Sequence, residues 1–246
     1  MSKDLFSAQA SDYAKYRPDY PAELYSYLEA QARGRDLAWD VATGNGQAAT
    51  VLAKKFKKVL ATDLSEKQLE NAKKAANIEY KKAVAQESGL PDQSADLITV
   101  AQAFHWFPQK EFFAEVKRVG KPGSLLVIWS YALALITPEI DEAVEHLYQG
   151  ILGPYWEKER KLVEEGYRNE KIPFTELKTP AFAMEKQWDM NDLLGYFNTW
   201  SALQTYKKKN GTDPLVEFAP KLQKIWGDAR ARKQVSWPLS VRAFRL

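Results

Sequence analysis

The feature that most constrains this chain is a glycine turn, Asp40-Val-Ala-Thr-Gly44-Asn-Gly46, with an acidic residue, Asp63, nineteen positions after Gly44. An apolar strand, Leu37 to Ala42, leads into the turn, and a helical stretch, Gln47 to Phe56, leaves it. Glycine serves here for two reasons. Such a turn demands backbone angles that a Cβ penalises, and a missing Cβ lets a ligand lie against the backbone. The helix start beyond Gly46 offers unpaired N–H groups to an anion. A carboxylate at the end of the next strand can accept hydrogen bonds from both ribose hydroxyls. The turn therefore predicts a nucleoside cofactor held at the ends of adjacent parallel strands. It does not choose the cofactor, because Gly44-Asn-Gly-Gln-Ala-Ala49 also fits the looser dinucleotide pattern G-x-G-x-x-A.

Around the turn, strand and helix alternate. Pro21 to Ala32 has helical spacing, Val59 to Thr62 reads as a strand, and Ser65 with Gln68 reads as a capping box. Ile78 to Val84, Leu97 to Ala101 and Ser124 to Tyr131 read as further strands, with a helix from Gln109 to Val119. Such alternation predicts an α/β fold, with a mostly parallel sheet covered on both faces. The second half differs. Pro138 to Tyr148 and Trp156 to Tyr167 read as helices, Ile172 to Met184 as extended, and Asp189 as the cap of a helix holding Leu193, Phe197 and Trp200 in register. Asp213-Pro214 begins another helix that Pro220 is expected to kink or split. The tail from Val235 alternates as a closing strand, with regular pairing expected only after Pro238 or around a bulge.

Bulk properties exclude several chemistries. The chain has 246 residues, enough for one full α/β core. It has no cysteine and two histidines, His105 and His146, so thiolate catalysis, disulfides and His- or Cys-rich metal sites are excluded; no metal is expected. With 35 basic and 32 acidic residues the net charge of +3 gives no nucleic-acid signature. The longest charge-free run, Ser124 to Pro138, is shorter than the about 20 apolar residues a membrane span needs. No signal-peptide core follows Met1. A cytoplasmic protein, monomer or homodimer, with a small-molecule substrate and neither nucleic-acid nor membrane partner, is expected.

The chain resembles class I S-adenosylmethionine-dependent methyltransferases of the small-molecule branch (the methyltransferase type 11 group), and among them the trans-aconitate-type carboxyl methyltransferases. The matching blocks are Tyr13-Ala-Lys-Tyr-Arg-Pro-Asp-Tyr-Pro21, Asp40 to Gly46, Asp63-Leu-Ser65, Ala103-Phe-His-Trp-Phe107, Ile128-Trp-Ser-Tyr-Ala132, Leu152-Gly-Pro-Tyr-Trp-Glu157 and Thr199-Trp-Ser-Ala202. Asp40 stands four residues before the first glycine, as in that superfamily, and Ala85-Gln-Glu-Ser-Gly-Leu-Pro91 matches its adenine-side motif. Two positions depart from the family pattern: Ala42 stands where glycine is frequent, and Ala85 where an acidic residue is frequent.

The resemblance implies a Rossmann-like, seven-stranded sheet, mostly parallel with an antiparallel last strand, under a helical substrate cap. It implies one domain over residues 1–246: an N-terminal arm and cofactor core at 1–134, cap segments at 135–170 and 185–234, and closing strands at 171–184 and 235–246. S-adenosylmethionine, leaving as S-adenosylhomocysteine, is implied to contact Asp40, Gly44, Gly46, Asp63, Leu64, Ala85, Gln86 and Gln102, with Tyr16 and Arg17 closing over its methionine end. Methyl transfer to a small molecule, at a carboxylate oxygen, is the activity implied. Trp106, Tyr131, Tyr155, Trp156, Arg160 and Trp200 are the candidate substrate-binding residues, with Arg160 the anchor for an acid. His105 is the candidate catalytic residue, as base, hydrogen-bond donor or structural group. An NAD-dependent oxidoreductase, or a non-catalytic cofactor-binding protein of the same fold, stays open as the alternative.

Overall fold

The computed structural model of the protein describes residues 16–246; Met1 to Phe6, and Tyr13 to Lys15 of the N-terminal block, lie outside the described residues. The described chain forms two compact units. The sheet unit comprises Tyr20–Tyr131, Lys161–Phe182 and Leu239–Leu246. The helical unit comprises the segment ending at Asp19, Ala132–Arg160 and Ala183–Pro238.

The sheet unit is built from α1 (Ala22–Gln31), β1 (Leu37–Val41), α2 (Gln47–Leu52), β2 (Lys58–Asp63), α3 (Glu66–Glu70), β3 (Ile78–Lys82), β4 (Ala95–Ala101), α4 (Gln109–Val119) and β5 (Gly120–Tyr131). Strands β1 to β5 are parallel and lie in the order β3-β2-β1-β4-β5. The last strand, β8 (Lys233–Arg245), is antiparallel to β5, as expected. Its register against β5 starts at Leu239, opposite Tyr131, so the regular ladder begins directly after Pro238. The sheet has eight strands rather than the seven expected. The extended segment read as one stretch is two strands, β6 (Thr175–Leu177) and β7 (Phe182–Trp188). Both pair with β8, whose length leaves room for more than one partner.

Side chains of the strands alternate between two buried layers, as the pleat requires. Trp39, Val41, Ile98, Val100, Leu126 and Ile128 pack with Phe112 and Val116 of α4. Ala38, Val59, Ala61, Leu97, Leu125 and Val127 pack with Leu24 and Leu28 of α1 and Leu52 of α2 on the other side. Each fully buried Leu, Ile or Phe contributes roughly 2 kcal/mol, so both faces are firmly covered. Asp40 shares the second face with Ala38, and its neighbour in register is Thr99 of β4.

The helical unit contains α5 (Pro138–Glu145), which passes into a π-helical turn (His146–Ile151) and a short 3-10 turn (Gly153–Tyr155). The helix expected to run to Tyr148 therefore ends earlier, and of Trp156 to Tyr167 only α6 (Arg160–Glu164) is helical. Asp189 caps α7 (Met190–Asn198) in a reciprocal capping box with Asp192. Trp200 is not in that helix; it precedes the first turn of α8 (Ser201–Asn210). Helix α9 (Pro214–Trp226) continues through Pro220 as one helix, so the proline does not split it. The apolar side chains of Phe218, Leu222 and Trp226 around it are buried, and that packing holds it as one helix. No described helix is long and apolar enough to cross a membrane.

Candidate active site

In a parallel sheet ligands bind beyond the carboxyl ends of the strands, where the strand order reverses. Here that point lies between β1 and β4, and Asp40, Ala42 to Gly46, Asp63 and Gln102 gather around it. The turn is held from two sides. The Thr43 N–H donates to the Thr62 carbonyl at 2.9 Å. The Gly44 N–H donates to Asp63 Oδ2 at 2.8 Å, and the Ser65 N–H donates to Asp63 Oδ1 at 2.8 Å. Asp63 thus orients itself by bracing both the glycine turn and the start of α3.

The two glycines do different jobs. Gly44 has φ +58° and open space where a Cβ would stand, so its bare backbone faces the site. Gly46 has φ +79°, and a Cβ there would stand 2.2 Å from the Tyr80 hydroxyl oxygen. Tyr80 therefore occupies the volume that the second glycine clears, while its hydroxyl donates to the Lys73 carbonyl at 2.7 Å. Burial, and after it the charge of Asp40, pushes the Tyr80 phenol up to about 12. Ala42, at the position where the resemblance leads one to expect glycine, takes the same left-handed backbone at φ +52°. A non-glycine residue there carries strain of order 1 kcal/mol.

Asp40 is 1% exposed. Thr99 donates its hydroxyl to Oδ1 at 2.7 Å, and Thr43 donates to Oδ2 at 2.5 Å. Burial pushes its carboxyl up to about 6, opposed by the two threonine bonds and the Ala49 N–H and reinforced by the charge of Asp63. Thr43 links this buried acid to the glycine turn. The signal for Thr99, missed in the sequence, was a lone hydroxyl in the apolar run of β4.

Leu64, directly after Asp63, is 45% exposed, an apolar surface beside that carboxylate. The Ala85-Gln86 segment is fixed nearby in sequence: the Ser88 N–H and hydroxyl both donate to buried Glu115, at 2.8 and 2.6 Å. Arg118 donates to both oxygens of that carboxylate, and with the Ser88 bonds it outweighs burial and holds the acid below its usual range. Gln102 has φ +56° and donates its side-chain amide to the Tyr131 carbonyl at 3.0 Å, so both predicted residues brace each other. His105 follows β4 in a short 3-10 turn. Its Nδ1 is 2.9 Å from the Tyr167 hydroxyl, and its ring packs on Trp106 at 4.7 Å between centroids. Trp106 is 43% exposed, whereas Tyr131 is buried against Tyr20.

Six predicted residues belong to the helical unit: Tyr16, Arg17, Tyr155, Trp156, Arg160 and Trp200. Arg17 lies 5.1 Å over the Tyr196 ring, and the Tyr16 ring packs against Gly195. Trp156, Arg160 and Trp200 meet around a residue the sequence did not flag, Tyr148. Its ring is 4.7 Å from Trp156 and 5.6 Å from Trp200. The Arg160 Nε–H donates to the Tyr148 hydroxyl at 2.8 Å, and the guanidinium lies over Trp156 at 5.1 Å. Tyr155 is elsewhere, its ring tilted against Tyr206 at 4.9 Å and its hydroxyl accepting from Asn210 at 2.9 Å. Among the described residues no three His, Asp or Glu side chains converge as a metal site.

The methyltransferase domain family matches residues 39–128, the stretch that carries the glycine turn, Asp63 and β4. A protein of Dictyostelium discoideum named as a methyltransferase is 39% identical over 227 residues, 91% of this chain and 86% of its own length. This chain is a class I S-adenosylmethionine-dependent methyltransferase. A solved type II methyltransferase candidate from Anaeromyxobacter dehalogenans superposes with a TM-score of 0.88 at 40% identity, covering 94% of this chain and 98% of that one. An uncharacterised methyltransferase of Schizosaccharomyces pombe is 28% identical over 231 residues, 89% of each chain. Family membership decides the choice that the glycine turn left open between methyl transfer and dinucleotide redox chemistry. The geometry of the methyltransferase then assigns separate work to its two glycines, which spacing alone did not.

Proposed function

We propose that this methyltransferase binds S-adenosylmethionine around Asp63, Gly44 and Leu64 and methylates a small molecule at a carboxylate oxygen. Three features favour the cofactor assignment. Asp63 is braced by the Gly44 and Ser65 N–H groups at the end of its strand, the Gly44 backbone is open, and Leu64 offers an exposed apolar face for a base. Asp40 adds buried negative charge on the side where a cationic amine would be drawn. The cofactor supplies a methyl group already activated on a sulfonium.

The observation that carries the acceptor class is Arg160. Its Nε is committed to Tyr148 and its plane rests on Trp156, so the guanidinium is oriented before a ligand arrives. Its two Nη groups suit bidentate recognition of an acid. An ionised carboxylate needs no general base. One of its oxygens forms the new C–O bond as the C–S bond breaks, and the electron pair stays on sulfur. The protein's part is to orient and desolvate the acid. Incubation with labelled S-adenosylmethionine and a panel of mono-, di- and tricarboxylates, amines and phenols tests this. Label in base-labile methyl esters is expected; turnover confined to amines or phenols would overturn the acceptor class.

A further inference from the structure

Tyr167 lies outside every motif that the family resemblance supplies, yet the sheet unit holds it under unusual constraint. It has φ +57°, directly after Gly166 at φ +59°. A bulky residue in that region costs of order 1 kcal/mol or more, and such strain persists only where the surroundings over-determine it. They do so here. The Tyr167 N–H donates to the Leu162 carbonyl at 2.9 Å. Arg242 Nη1 donates to the Tyr167 carbonyl at 2.5 Å, while Nε and Nη2 of the same side chain fork onto Glu176 at 2.8 and 2.9 Å. The Tyr167 ring is 1% exposed and stands edge-on to Phe104 at 5.2 Å. The outcome is a buried phenol whose hydroxyl meets His105 Nδ1 at 2.9 Å, with the two rings nearly parallel at 20°.

We infer that Tyr167 is a positioning residue that fixes the orientation and tautomer of His105, its hydroxyl donating to Nδ1 so that Nε2 carries the proton. This rests on the carboxylate reading above. A neutral imidazole has one donor and one acceptor nitrogen. If Tyr167 donates to Nδ1, His105 presents an N–H through Nε2, which suits an acid that must be held rather than deprotonated. The opposite arrangement would present a lone pair to a carboxylate and repel it.

The chain has only two histidines, so long-range ¹H–¹⁵N correlation on the uniformly labelled full chain resolves both rings, with His146 as internal control. The wild-type spectrum should show the Nε2–H tautomer at His105. Tyr167→Phe should convert His105 to a mixture of tautomers and leave His146 unmoved. The same variant should lower kcat/KM for the best carboxylate about tenfold, the scale of one hydrogen bond, with the Kd for S-adenosylhomocysteine unchanged. An Nδ1–H tautomer in the wild type, or His105 shifts unaltered in Tyr167→Phe, would overturn the inference. His105→Gln separates the two claims. If it leaves carboxylate turnover intact, the role of His105 in the reaction fails, while the tautomer result still judges Tyr167.

Discussion

The carboxyl end of the sheet and the aromatic cluster of the helical unit hold their charged groups by different means. At the sheet, Asp40 and Asp63 are set by short bonds from backbone N–H groups and threonine hydroxyls, some of them distant in sequence, Thr99 from Asp40 and Gly44 from Asp63. In the helical unit, Arg160 is set by rings of its own segment, Tyr148 and Trp156 around the guanidinium, with Trp200 of a later segment packed on Trp156. The first arrangement uses backbone geometry and tolerates few residue types. The second uses side-chain volume and tolerates many.

Substitutions can break this contrast. Asp63→Ala should have the largest effect. It removes two charge-assisted bonds to a ribose and the brace on Gly44, so affinity for S-adenosylhomocysteine should fall on the order of a hundredfold, about 3 kcal/mol. Calorimetric titration checks this, and an unchanged Kd would remove Asp63 from the cofactor site. The two glycines should separate next. Gly46→Ala meets Tyr80 and a left-handed φ, and should cost about 2 kcal/mol of folding stability by denaturant titration. Gly44→Ala meets no protein atom within 4 Å, so its stability loss should be only about 1 kcal/mol, with the larger penalty in cofactor affinity. Equal losses of stability would contradict the division of labour between them.

Asp40 supplies a pH test. Its folded-state carboxyl, pushed up to about 6 by burial, holds a proton more tightly than the unfolded chain does. Its contribution to stability is therefore greatest below pH about 4, falls as pH rises from about 4 to about 6, and is level above that. Asp40→Asn should flatten that window and raise stability at pH 7 by about 1 kcal/mol or more, while weakening cofactor binding about fivefold. Stability curves of wild type and variant that stay parallel between pH 4 and 7 would show that Asp40 does not titrate there. The smallest effect belongs to Arg160→Lys. It keeps the charge and loses the fork, so KM for a carboxylate should rise about threefold with S-adenosylhomocysteine affinity unchanged. A steady-state comparison with an unmoved KM would separate Arg160 from the acceptor.

The same contrast explains what could be read from residues alone. The glycine turn, the five parallel strands and the antiparallel β8 were legible because each is written in local periodicity. The eighth strand was not, because Thr175–Leu177 and Phe182–Trp188 form a single apolar-polar stretch whose division depends on β8 as partner. Pro220 was misread because local backbone rules argue for a break, whereas the buried face of α9 decides. In the site, Asp63 and Gly44 were visible through spacing. Tyr80, Tyr148 and Tyr167 were not, since each acts through a side-chain contact that no local spacing pattern encodes. The Gly166-Tyr167 pair was the one faint sign, a glycine followed by a bulky residue at the end of a helix.

The account stands most directly on cofactor choice at the glycine turn. Thermal unfolding of the full chain with S-adenosylhomocysteine, against NADH at the same concentration, measures it. Stabilisation by S-adenosylhomocysteine of about 2.7 kcal/mol at a hundredfold excess over Kd is predicted, with none from NADH. A shift from NADH and none from S-adenosylhomocysteine would contradict it.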